Sequence, residues 1–234
     1  MPELIIALDM ENLDDCKSLC DKLENTVRWY KIGSVLFTKY GPPCINFLKK
    51  KEKKVFLDLK YHDIPNTVKE AVKNAMNMGV DMLNIHASGG VNMMKAAVEE
   101  AKTRNPEAIV IAVTVLTSFD QSSFSNAMNR NDDYKISEHV IHLAKISYQS
   151  GIDGVVCSSH EISMIKKQFG KAFLTVVPGI RPSWELSKDD QKRIMSPAQA
   201  VKEGADYLVV GRPIIKSNNP AESALKIISE FSIH

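Results

Sequence analysis

Met78-Gly79-Val80-Asp81-Met82-Leu83-Asn84-Ile85 runs from the end of a helical pattern, through a glycine, straight into an apolar strand. The same join recurs at Ser150-Gly151-Ile152 and at Glu203-Gly204-Ala205. A glycine just past the last helical turn readily takes the left-handed conformation that closes helices. Each join therefore reads as the αβ turn of a repeated unit, and Gly170 marks a further helix end. Working outward, eight short runs rich in Val, Ile and Leu lie at 3–9, 27–33, 54–60, 80–87, 109–116, 152–158, 172–179 and 205–211. Most are continuously apolar rather than alternating, as strands covered on both faces are. Helical spacing fills 14–23, 67–78, 92–102, 138–150, 161–169, 197–203 and 220–231. Ser196-Pro197 and Asn219-Pro220 each place a capping side chain before a first-turn proline. Eight strand–helix units in 234 residues predict an α/β fold, a single (β/α)8 TIM barrel over residues 1–234. A doubly wound sheet has fewer strands and often a glycine-rich first turn, which Asp9-Met10-Glu11-Asn12 is not.

Composition narrows the class. Hydrophobic residues make up 44% and charged residues 25%, ordinary for a globular chain. The net charge of +2 offers no reason to expect nucleic acid or an anionic membrane as partner. No apolar run reaches the roughly 18 residues of a membrane helix, and the first residues lack the basic start of a signal peptide. The expected location is the cytoplasm. Cys16, Cys20, Cys44 and Cys157 form no CxxC pair or Cys/His cluster, so they read as free thiols in a reducing compartment. His139 and His142 share a helix but lack a third partner, which argues against a metal. The basic stretch at 49–54 reads as a solvated face at a helix C-terminus.

Two long connections, 117–137 and 180–196, follow strands and so belong at the end of the barrel where such enzymes carry their chemistry. Charges gather there too: Asp9, Lys31, Asp58 and Lys60 close otherwise apolar strands, and Asp63 follows three residues on. Strand alternation sends Asp58 and Lys60 to one side and Leu57 and Leu59 to the other, which predicts a charged pair directed at the barrel axis.

Phe56-Leu57-Asp58-Leu59-Lys60-Tyr61-His62-Asp63-Ile64-Pro65-Asn66-Thr67-Val68 resembles the signature segment of the orotidine 5'-monophosphate decarboxylase family, bacterial type. Other matching segments follow in order: Ala7-Leu8-Asp9, Lys31-Ile32-Gly33, Asn84-Ile85-His86-Ala87-Ser88-Gly89-Gly90 and Val115-Leu116-Thr117-Ser118. Val177-Pro178-Gly179-Ile180-Arg181-Pro182, Asp190-Gln191-Lys192-Arg193 and Gly204-Ala205-Asp206-Tyr207-Leu208-Val209-Val210-Gly211-Arg212 complete the set, and the two long connections match least. The resemblance implies decarboxylation of orotidine 5'-monophosphate to UMP, with no metal or organic cofactor, in a homodimer with shared active sites. It implies that Lys31, Asp58 and Lys60 form the catalytic array, completed by Asp63 from across the dimer interface together with Ile64 and Thr67. Asp9 and Lys31 would hold the ribose, Thr117 or Ser118 the pyrimidine, with Pro178 also against the substrate. Gln191 would bridge base and phosphate, and Arg181, Gly211 and Arg212 would hold the phosphate.

The residue types suit that reaction. Losing CO2 from C6 leaves an in-plane electron pair that the ring cannot delocalise well. A fixed ammonium beside C6, the role given to Lys60, would stabilise and then protonate it. One charge pair at ~4 Å and an effective dielectric of ~20 is worth about 4 kcal/mol, or about 10³-fold in rate, so phosphate-binding energy and exclusion of water must supply more. Two rivals are a metal-dependent enzyme acting on a keto-sugar phosphate and a non-catalytic nucleotide-binding barrel.

Overall fold

The computed structural model describes residues 2–131, 133–182, 184 and 195–232. Eight parallel strands close into a barrel in chain order: β1 (Glu3–Ala7), β2 (Trp29–Gly33), β3 (Lys54–Tyr61), β4 (Met82–His86), β5 (Ile109–Val113), β6 (Gly154–Val156), β7 (Leu174–Pro178) and β8 (Tyr207–Val210). β8 pairs with β1 from Glu3↔Tyr207 to Ile6↔Val210, which seals the ring. All eight predicted runs are strands, trimmed mostly at their ends where the chain leaves the ladder.

Helices α1 (Leu13–Lys22), α2 (Ser34–Tyr40), α3 (Pro43–Lys50), α4 (Pro65–Asn77) and α5 (Gly90–Arg104) wrap the first half of the ring. The second half carries α6 (Gln121–Ala127), α7 (Ile136–Gln149), α8 (Ile162–Phe169), α9 (Pro197–Lys202), α10 (Arg212–Ile215) and α11 (Pro220–Ser232). The predicted stops hold: Gly79, Gly151, Gly170 and Gly204 all sit at positive φ, between 79° and 106°. Ser196 caps α9 by accepting from the Gln199 amide. The connection after β5 departs from the expected irregular loop, because Asp120 and Ser123 form a capping box that starts α6 within it.

Two apolar layers hold the barrel. Ile5, Ala7, Trp29, Phe56, Met82, Ile111, Val176 and Val209 fill its interior. The alternate strand residues, among them Ile6, Ile32, Leu57, Leu83, Val110 and Leu208, pack outward against the helices. All four cysteines are free and buried in that outer layer.

The N-terminal rim of the barrel carries a device that repeats three times. Asp81, just before β4, accepts from the Val55 amide of β3 (2.9 Å) and pairs with Lys49 (2.6 Å) and Lys54 (2.7 Å). Asp153, just before β6, accepts from the Val110 amide of β5 (2.7 Å) and from Lys102 (2.9 Å). Asp206, just before β8, accepts from the Thr175 amide of β7 (2.7 Å) and from Lys166 (2.6 Å). In each case one carboxylate ties an even strand to the preceding odd strand and to the helix leading into that strand. The basic stretch at 49–54 is thus only in part the solvated face the sequence suggested, with Lys50 and Glu52 exposed. Lys49 and Lys54 hold Asp81, Lys51 pairs with Asp21, and Lys53 donates to the Glu24 and Val27 carbonyls.

Burial would raise the Asp81 pKa, but hydrogen bonds from Lys49, Lys54 and the Val55 amide outweigh it and hold the carboxyl below its ordinary value. Its stabilisation is therefore complete above about pH 4 and is lost as the pH falls through the lowered native value. Asp81→Ala leaves a buried amide and two lysines without their acceptor and should destabilise the chain by about 2–4 kcal/mol at pH 7. The exposed-pair control Asp21→Ala should lose no more than about 1 kcal/mol. Urea unfolding at pH 7 and pH 3 checks both values, and the Asp81 deficit should shrink at the lower pH.

Candidate active site

The barrel interior becomes polar one step nearer the C-terminal rim. Moving two residues on from four of the apolar interior positions gives Asp9 after Ala7, Lys31 after Trp29, Asp58 after Phe56 and Asn84 after Met82. Pro178 follows Val176 and Gly211 follows Val209 in the same way. Because side chains alternate, the strands that build the core also deliver these groups to the mouth.

Four of the charged residues form a continuous chain. Lys31 Nζ donates to Asp9 Oδ1 (2.9 Å) and lies 3.2 Å from Asp58 Oδ2. Lys60 Nζ donates to the other oxygen, Asp58 Oδ1, at 2.5 Å, and Asn84 Nδ2 donates to that same oxygen at 2.7 Å. The side chains of Lys31 and Asp58 are only 10% and 13% exposed, so these charges interact through protein more than water. Burial pushes the Asp58 carboxyl up, but Lys31, Lys60 and Asn84 overcome it and hold the pKa below the usual carboxylate range. Burial alone would lower Lys31, and Asp58 and Asp9 together raise it above the ordinary lysine value.

Two cavities meet on this chain of charges. The larger, about 650 Å³, reaches from Asp9 and Lys31 to Gly179, Arg181, Gly211 and Arg212. The smaller, about 170 Å³, runs into the barrel mouth beside Asn84, Val113, Val156 and Thr117. Lys31, Asp58, Lys60, Pro178 and Val209 line both. One lobe is thus cationic and rimmed by the ends of β7 and β8, and the other is small and mostly apolar. Together they suit a ligand with an anionic group at one end and a flat ring at the other.

The sequence expectations fall into three groups. Asp9, Lys31, Asp58, Lys60, Thr117, Pro178, Arg181, Gly211 and Arg212 come together around these cavities. Ser118 is exposed and lines neither, which separates it from Thr117. Asp63, Ile64 and Thr67 are exposed and line neither cavity of their own chain, and among the described residues the Asp63 carboxylate accepts only the neighbouring Ile64 amide, at 2.7 Å. Gln191 lies outside the described residues. His86 packs its ring 5.3 Å from that of His62, and burial together with His62 and Lys60 lowers its pKa. His139 accepts or donates through Nδ1 to the Tyr134 hydroxyl (3.3 Å) and stacks with His142. Among the described residues no group of three or more His, Cys, Asp or Glu is placed to hold a metal ion.

Sequence reasoning missed Asn84 and the cavity-lining residues Met10, Ser34 and Lys216. Asn84 had a usable signal, a lone amide in the apolar run Met82-Leu83-Asn84-Ile85 two residues beyond an interior position.

Comparison with known proteins identifies the family. The model of the family described as "Orotidine 5'-phosphate decarboxylase / HUMPS family" matches residues 2–227. A Legionella pneumophila (strain Lens) protein named orotidine 5'-phosphate decarboxylase is 48% identical over 231 residues, 98% of this chain and 99% of its own. A Trichlorobacter lovleyi protein of the same name is 45% identical over 232 residues, 98% of this chain and 95% of its own. The crystal structure of orotidine 5'-phosphate decarboxylase from Lactobacillus acidophilus matches with a TM-score of 0.87 and 34% identity, covering 99% of both chains. On sequence and fold alike, the chain belongs to the orotidine 5'-phosphate decarboxylase / HUMPS family.

Proposed function

We propose that this chain is an orotidine 5'-phosphate decarboxylase that converts orotidine 5'-monophosphate to UMP, with the barrel as its catalytic domain. The observation that carries the reading is the Asp9–Lys31–Asp58–Lys60 chain of ion pairs on the wall shared by a cationic cavity and an apolar recess. The phosphate belongs at Arg181, Gly211 and Arg212, since a guanidinium fork matches phosphate oxygens and barrels commonly bind phosphate after strands seven and eight. The ribose then lies against Asp9 and Lys31, and the pyrimidine enters the recess beside Thr117 and Pro178. Gln191 is assigned to bridge base and phosphate.

That pose puts C6 and its carboxylate beside Lys60. As the C6–CO2 bond breaks, its electron pair stays on C6, facing the ammonium, and CO2 departs. Lys60 then transfers a proton to C6 to give UMP and recovers one from solvent. Asp58, ionised and close to the substrate carboxylate, disfavours the bound ground state more than the transition state that is losing that charge. Asp58 has both oxygens engaged by ammonium and amide donors, which favours this reading over a metal-dependent sugar-phosphate enzyme needing a free carboxylate. With a purified sample in excess chelator, absorbance of orotidine 5'-monophosphate should fall at an unchanged rate. Lys60→Ala should lose about 10³-fold or more in kcat. Chelator-sensitive turnover, or full turnover by the variant, contradicts the assignment.

Residues 62–67 are exposed throughout, and Ile64 is 68% exposed. We assign this segment to a homodimer in which Asp63, Ile64 and Thr67 complete the partner's site. Mixing Lys60→Ala with Asp63→Ala should then restore up to about a quarter of wild-type activity, because half the dimers are mixed and each carries one intact site. An inactive mixture of well-folded variants that exchange subunits contradicts sharing. A cytoplasmic location fits four free, buried thiols, and among the described residues no helix is long and apolar enough to cross a membrane.

The pH dependence follows from charge. A phosphate monoester gains its second charge near pH 6, whereas Asp58 is held ionised to below the usual carboxylate range. kcat/KM should therefore fall below about pH 6 with substrate protonation while kcat stays level to about pH 5. A kcat that falls in step with kcat/KM contradicts the ionised Asp58.

A further inference from the structure

The largest departure from regular strand pairing lies beside the reacting ammonium. β3 and β4 pair at Phe56↔Met82 and Leu57↔Leu83, then again at Tyr61↔Ile85, so Asp58, Leu59 and Lys60 stand opposite Asn84 alone. Within this bulge Lys60 takes φ 52°, the left-handed region that a lysine rarely occupies. Such a conformation persists only where the surroundings enforce it.

Asn84 supplies that enforcement from the neighbouring strand. It is buried, at 1% exposure. Its Oδ1 accepts from the Lys60 backbone amide at 2.8 Å, replacing a ladder bond that the bulge removes. Its Nδ2 donates at 2.7 Å to Asp58 Oδ1, the oxygen that also accepts Lys60 Nζ. One amide thus grips Lys60 at its backbone and, through Asp58, at its ammonium. A neutral amide offers an acceptor and a donor to these two neighbours together whatever the pH, whereas a carboxyl group does so only while it is protonated. Aspartate would turn a second carboxylate on Asp58, and leucine would leave the amide and the carboxylate oxygen with one partner fewer.

We propose that Asn84 is a positioning residue for decarboxylation, fixing the bulged backbone of Lys60 and the carboxylate of Asp58 so that the ammonium meets C6 in one place. The role rests on the decarboxylase site proposed above. The charged groups facing position 84 are Asp58 and Lys60, with Lys31 on the far oxygen of Asp58. His86, two residues further along β4, packs against His62.

The test compares orotidine 5'-monophosphate turnover, UMP affinity and thermal melting for wild type, Asn84→Ala and Asn84→Asp. Asn84→Ala should lower kcat by about 10- to 100-fold, while KM and UMP affinity change by less than about threefold. Asn84→Asp should respond to pH in a way a packing role would not. When neutral, its carboxyl group can still donate to Asp58 and accept from the Lys60 amide. When ionised, it opposes Asp58. Its kcat should therefore fall as the pH rises between about 5 and 8, across a range where wild-type kcat stays level. That comparison is made on one folded protein, so a melting change in the alanine variant does not obscure it. Asn84→Ala turnover within about threefold of wild type, or an Asn84→Asp profile that tracks wild type, overturns the role of Asn84. A wild-type protein that leaves orotidine 5'-monophosphate unchanged instead overturns the reading of the whole site, and this role with it.

Discussion

Asp58 holds two ammonium groups at once, Lys31 through one oxygen and Lys60 through the other, inside a wall of apolar strands. Burying such a set is not a route to stability. Taking Lys31 and Asp58 from water costs several kcal/mol each, the 36% exposed Lys60 costs less, and hydrophobic replacements of similar size often fold as well or better. The arrangement makes sense as stored orientation. Each charge sits where its neighbours hold it before a substrate arrives, so little reorganisation is needed when negative charge develops on a ring carbon. The lowered Asp58 pKa and the raised Lys31 pKa are two expressions of the same mutual hold.

The two rims of the barrel divide the labour. At the N-terminal rim, Asp81, Asp153 and Asp206 each clamp a strand amide and a helix lysine, and these contacts serve cohesion. At the C-terminal rim the same residue types sit around cavities, and Lys60 occupies a backbone conformation that regular strands avoid. A rigid lower half lets the upper half carry strain, because the apolar interior between them fixes where β2, β3 and β4 emerge.

Much of this was legible in the chain. The glycine joins and the continuous apolar runs give the strand count, and the count gives the barrel. Alternation alone places Asp58 and Lys60 on one side, and the structure agrees even though a bulge intervenes between Leu57 and Tyr61. The bulge itself was not legible. Nothing in Asp58-Leu59-Lys60 signals a positive φ, which depends on an asparagine from the next strand and so on tertiary contact. The rim aspartates were visible as a Gly-x-Asp repeat at 79–81, 151–153 and 204–206, but only the glycines carried a local meaning. The lysines at 49–54 misled in part for the same reason: Lys49 and Lys54 read as solvated until their acceptor, Asp81, is brought to them by the fold. Asp63 shows the limit for a single chain, since its own fold leaves it exposed and away from Lys60.

The central claim is that Lys60 stabilises and protonates a carbanion at C6, and proton exchange reports on it without any decarboxylation. UMP incubated with the protein in D2O should exchange its C6 hydrogen for deuterium, followed by NMR, at a rate that collapses in Lys60→Ala while UMP remains bound. Exchange that is absent in the wild type, or undiminished in the variant, would contradict the account.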